Sequence, residues 1–143
     1  MPTPKEEVEE LMRSLLPVAE RMLKEAGEFY PYGGYTESDG KITHVSGRIE
    51  GTDHPKSKPI IDMLIEKFKQ MARSGTIKAA AVIFDVRIKL PGAENKTDAI
   101  QVCLDHRGGY SVEVLFPYIV SKGELQFGKA FAQEGDDEIF EPI

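Results

Sequence analysis

The sequence predicts an α+β domain. It should be an antiparallel sheet of about five to six strands with two helices on one face, in the order α-β-β-α-β-β-β with a further short strand. Three observations carry this. Residues 77–116 alternate with a period of two. Even positions are apolar (Val82, Phe84, Val86, Ile88; Ile100, Val102, Leu104; Val112, Val114, Phe116), and polar residues fall at Asp85, Arg87, Lys89, Gln101, Asp105 and Glu113. Two other segments carry apolar residues at helical spacing, and each ends at a glycine. Turn residues separate the segments.

The first helix opens at Thr3-Pro4-Lys5-Glu6, where Thr3 suits the cap, Pro4 the first helical position and Glu6 the third. Val8, Leu11, Met12, Leu15, Ala19, Met22, Leu23 and Ala26 form its stripe, and Gly27 ends it. Pro17 lies off that stripe and should kink or split the helix. Residues 29–36 read as an irregular first strand. Pro31 and the pair Gly33-Gly34 place it at an edge or in a projecting hairpin. Glu37-Ser38-Asp39-Gly40 is a turn, and residues 41–48 return as a second strand. The second helix runs from about residues 55–59 to Ser74, with Ile61, Leu64, Ile65, Phe68, Met71 and Ala72 on one stripe.

The third strand, residues 77–90, is apolar on both faces from Ala79 to Phe84, which suits a central position. The fourth and fifth strands meet at Asp105-His106-Arg107-Gly108-Gly109. A three-residue loop keeps Leu104 and Val102 on the side of Val112 and Val114, whereas a two-residue loop would bury the wrong face. The expectation is that Val82, Val86, Val102 and Val112 share one buried face under the second helix. Ser121-Lys122-Gly123-Glu124 turns into a short strand through Leu125 and Phe127. The tail after Ala132 is acidic, with Ile139 and Phe140 as its anchor.

The chain has 143 residues, enough for one domain with one core. One cysteine, Cys103, excludes an internal disulfide and suits a reducing cytosol. The apolar run 79–84 is far short of the ~20 residues of a membrane helix. The expected setting is cytoplasmic, with no membrane partner. The net charge of −6 repels phosphate, so no nucleic acid is expected either. The charge is uneven. Residues 55–78 carry Lys56, Lys58, Lys67, Lys69, Arg73 and Lys78 against Asp62 and Glu66, while Glu134, Asp136, Asp137, Glu138 and Glu141 crowd the tail. The basic helix could take an acidic partner or this chain's own tail.

No reactive constellation stands out. Gly40-Lys41 lacks both the spacing of a phosphate loop and a following helix. Cys103 and His106 fall on opposite faces of one strand, out of reach of each other. His44, His54 and His106 lack the spacing of a metal site, and no cofactor is expected. The surface most suited to a partner is the first hairpin with Tyr30, Tyr32 and Tyr35, because tyrosine joins a rigid apolar ring to a polar tip.

The order of elements resembles that of profilin-like and roadblock-like domains. The segments Phe29-Tyr30-Pro31-Tyr32-Gly33, residues 98–109 and Pro117-Tyr118 resemble a set of small bacterial proteins built on a domain of unknown function. That resemblance implies no activity and no catalytic residue. The reading that follows is a non-catalytic protein-interaction module, forming a homodimer through Tyr30, Tyr32 or Tyr35. The alternative is a small-molecule-binding protein or weak hydrolase. Its pocket would lie between the first hairpin and the second helix, with His44, Asp53 and His54 as polar groups.

Overall fold

A computed structural model describes residues 2–46 and 57–140. Helix α1 spans Pro4–Ala26. Its start is a full capping box: the Glu6 N–H donates to Thr3 Oγ1 at 3.1 Å, and the Thr3 N–H donates back to the Glu6 carboxylate at 3.4 Å. Gly27, at φ 74°, ends the helix and donates its N–H to the Leu23 carbonyl at 2.9 Å. Pro17 does not split it. Strands β1 (Tyr32–Glu37) and β2 (Ile42–Ser46) form the first hairpin, and α2 follows at Ser57–Arg73. Strands β3 (Ile77–Ile88), β4 (Thr97–His106), β5 (Ser111–Ser121), β6 (Glu124–Phe127) and β7 (Phe131–Glu134) complete the described elements.

These strands form one antiparallel sheet in the order β2-β1-β3-β4-β5-β6, with β7 also pairing β5. Strand β1 is therefore interior, flanked by β2 and β3, and not the edge or projecting hairpin that its proline and glycines suggested. Pro31 sits just before the strand, where no ladder bond is lost. The glycines answer a different need. A Cβ on Gly33 would collide with the Ala81 carbonyl oxygen and reach 3.0 Å from the Phe68 ring; one on Gly34 would lie 2.9 Å from Leu15. Phe68 belongs to α2 and Leu15 to α1, so the glycine pair lets both helices press on β1 from opposite sides.

The helices accordingly do not share a face. One core gathers Val8, Leu11, Leu15, Ala19 and Leu23 of α1 against Ala79, Ala81, Ile83, Ile100, Val102 and Leu104. The other gathers Ile60, Leu64 and Phe68 of α2 against Ile77, Ala80, Val82 and the tail residues Ile139 and Phe140. The expectation of one common face fails at the β3–β4 pairing. Ile83 lies opposite Val102 and Val82 opposite Cys103, so even positions of β3 share a side with odd positions of β4. Val82 faces α2 while Val102 faces α1; Val112 packs with the α1 core, and Val86 is only half-buried. The β4–β5 hairpin behaves as parity requires. Leu104 pairs Val112, and the His106 N–H donates to the Tyr110 carbonyl at 2.8 Å across a three-residue loop. The acidic tail docks through Ile139 and Phe140 as expected, beside α2.

Candidate functional site

The tyrosines of the first hairpin are mostly spent inside the fold. Tyr32 is buried, and its hydroxyl lies between α1 backbone groups: it donates to the Leu15 carbonyl at 2.6 Å and accepts from the Ala19 N–H at 3.0 Å. An uninterrupted helix would pair those two groups directly. Pro17 sits between them in sequence, so the inserted hydroxyl repairs the ladder next to the proline. Burial raises the Tyr32 pKa far above that of an ordinary phenol. Tyr32 is therefore not a partner surface. Tyr35 is half-buried, with its ring edge-on to Phe68 at 6.2 Å. Tyr30 stays exposed just before β1.

Among the described strands His44 lies on the edge strand β2, with Nε2 2.8 Å from the Ser14 hydroxyl. Both side chains sit at the surface, on the α1 side of the sheet. Asp53 and His54 lie outside the described residues. Cys103 and His106 do lie on opposite faces. His106 accepts from the Gly108 N–H through Nδ1 at 2.8 Å, which leaves the proton on Nε2, 3.2 Å from the Glu7 carboxylate. The other Glu7 oxygen pairs with Lys78. Burial works to raise the Glu7 pKa, but the hydrogen bonds to Lys78 and His106 outweigh it, and the net direction is down. This cluster fastens the start of α1 to β3 and to the β4–β5 turn.

The cavity of interest, about 180 Å³, lies on the other side of the sheet. It does not open between the first hairpin and α2, where the sequence suggested a pocket. Its floor is Val82 and Phe84 of β3 with Gln101 and Cys103 of β4; Ile61 and Ile65 of α2 form one wall. The opposite wall is the tail, residues 135–139, which crosses the sheet as a strap. Gly135 lets the strap cross, since a Cβ there would collide with the Ser111 hydroxyl. Ser111 and Asp105 then hold it. The Asp137 N–H donates to Ser111 Oγ at 3.0 Å, Ser111 donates to Asp105 at 2.6 Å, and the Ile139 N–H donates to the other Asp105 oxygen at 3.2 Å.

The field inside this cleft is negative. Asp62, Asp105, Glu113, Asp136, Asp137 and Glu138 all line it, and Lys58 is already paired to Asp62 at 2.8 Å. Burial pushes the Cys103 thiol up to about 12, and Glu113, Asp105 and Asp136 push it the same way, against a hydrogen bond from Gln101 at 3.4 Å. At neutral pH Cys103 is a thiol and a poor nucleophile. Burial also raises Asp105, with Asp137 adding to it, although the bonds from Ser111 and Ile139 act the other way.

Set against known proteins, the chain matches no family model, no curated protein and no solved structure. Among the described residues no helix is long and apolar enough to cross a membrane, and no three His, Cys, Asp or Glu side chains are placed to hold a metal ion. Sequence reading missed the cleft because its polar residues, Gln101, Asp105 and Glu113, occupy ordinary wet-face positions. The available signal was the run Ala79–Phe84. A strand apolar on both faces needs cover on both, which separates the helices and leaves the odd face of β4 beside α2.

Proposed function

We propose that this chain is a non-catalytic protein-interaction module whose partner docks on the α2 side of the sheet, around the cleft. The observation that carries this is two exposed apolar side chains on the same face of the sheet as the cleft, outside its lining. Ile119 is 65% exposed and Phe131 39% exposed. The register places Phe131 opposite Leu115, and alternation puts Ile119 on the same side as Leu115. Both lie on the face that α2 and the strap leave uncovered. Exposed apolar side chains on one sheet face favour a protein contact. The titratable groups also support binding over catalysis: His106 and Asp105 are engaged in holding elements together, and Cys103 is held as a thiol. The cleft is smaller than the ~300–1,000 Å³ of pockets for drug-sized ligands, which favours a protein over a small molecule. We place the module in the cytosol, away from membranes and nucleic acid, given its net charge of −6.

The test is capture from native cytosol by immobilised wild type and by an Ile119→Asp, Phe131→Asp double variant of unchanged stability. Proteins retained by the wild type should be absent from the variant. Identical retained sets, or none on either, would refute the reading.

A further inference from the structure

We propose that the cleft between α2 and the C-terminal strap receives one basic side chain, a lysine or arginine carried by the docking protein. This deepens the interaction reading above and rests on it. Three observations converge. The first is size: about 180 Å³ holds one long side chain. The second is the division of the lining. Ile61, Ile65, Val82 and Phe84 offer an apolar track for a methylene stem, while Glu113, Asp136 and Glu138 offer carboxylates for its tip. That arrangement matches the amphipathic build of lysine and arginine.

The third observation is Asp105, the buried member of the set. It is only 7% exposed, yet its partners are a hydroxyl and backbone N–H groups, and the charge that bears on it is another acid, Asp137. Buried carboxylates are ordinarily matched by a cation. Among the described residues Lys58 is the cation in the lining; it is already held by Asp62 and also acts on Glu138, which leaves Asp105 without a cation. An incoming guanidinium or ammonium would supply the missing positive charge. Among the described residues the carboxylates are spread along the walls and not gathered as metal ligands, which suits a long organic cation.

The experiment uses the full chain, labelled with ¹⁵N, and two short capped peptides. One carries a single arginine between glycines; the other carries citrulline, which has nearly the same shape without the charge. The arginine peptide should shift the amides of residues 101–105 and 135–139, with Kd near ~1 mM or tighter. The citrulline peptide should bind at least ~10-fold more weakly, the worth of ~1.4 kcal/mol. Asp136→Asn with Glu138→Gln, both at exposed strap positions, should weaken the arginine peptide by a similar factor while leaving the spectrum folded. Equal binding of both peptides, shifts mapping elsewhere, or no shifts at ~10 mM would overturn the proposal. So would spermidine binding ~10-fold tighter than the arginine peptide, which would assign the cleft to a free polyamine. If the arginine peptide fails while cytosolic capture still depends on Ile119 and Phe131, the basic side chain falls and the docking face stands. The reverse result supports the basic side chain and removes the docking face.

Discussion

At the scale of single residues, the fold turns on one hydroxyl. Pro17 removes a backbone donor from the middle of α1 and crowds the preceding turn. Tyr32, from β1, bridges Leu15 and Ala19 across the disturbed turn. The expected consequence of Tyr32→Phe is a loss of about 1–3 kcal/mol, because a buried N–H and a buried carbonyl lose their shared partner. In a Pro17→Ala background the helix can rejoin Ala19 to Leu15 directly, so the same substitution should cost measurably less. Urea unfolding of the four variants in this cycle gives the coupling; purely additive costs would refute the repair. Pro17 was legible in the sequence as a fault in a helix, and Tyr32 as an aromatic near it in the chain. Their connection was not, because it is a contact between elements, and sequence spacing constrains only contacts within one.

At the scale of elements, the sheet shows what alternation can and cannot determine. It placed the β4–β5 loop at three residues, because a tight hairpin ties the parity of one strand to the next. No such tie exists between β3 and β4, which are joined by a longer loop, and there the even positions change sides. Val82 and Val102 look alike in sequence and face different helices. Likewise, Gly33-Gly34 reads as an edge or bulge signal, whereas the reason for it is compression of β1 between α1 and α2. Gly33→Ala should therefore lower stability by at least ~1–3 kcal/mol, the cost of overpacking a filled site. Gly40→Ala gives the contrast. Its Cβ meets open space and its penalty comes from the positive φ of 99° alone. Thermal unfolding of both variants, together with crosspeak shifts around Phe68 and Ala81, checks this. A Gly33→Ala protein as stable as wild type, with those signals unmoved, would mean the helices do not close on β1 as described.

At the scale of the whole molecule, the C-terminal strap completes the second core and builds one wall of the cleft, and Asp105 is the residue on which it is fastened. That gives a pH dependence whose sign follows from burial. The folded protein holds the Asp105 pKa above its ordinary value of 3.8. Its protonation therefore stabilises the folded state, fully below the ordinary value, and that contribution is lost as pH rises through the raised one. Glu7 has the opposite sign: its pKa is lowered from 4.5, so its contribution is present above that value and lost as pH falls through the folded one. As pH falls from about 7 towards 5, acidification should thus strengthen the Asp105 contribution before the Glu7 cluster begins to fail. An Asp105→Asn variant isolates the effect. Asp85, also raised by burial, titrates in both proteins and cancels in their difference. The stability of wild type minus that of Asp105→Asn should grow as pH falls from 7 towards 4, with a slope of at most ~1.4 kcal/mol per pH unit for one proton. Urea midpoints at several pH values measure it, with strap amides 137–139 followed by hydrogen exchange on the same samples. Parallel stability curves for the two proteins would show that Asp105 keeps an ordinary pKa in the fold, and that the strap's hold on the sheet is indifferent to its charge.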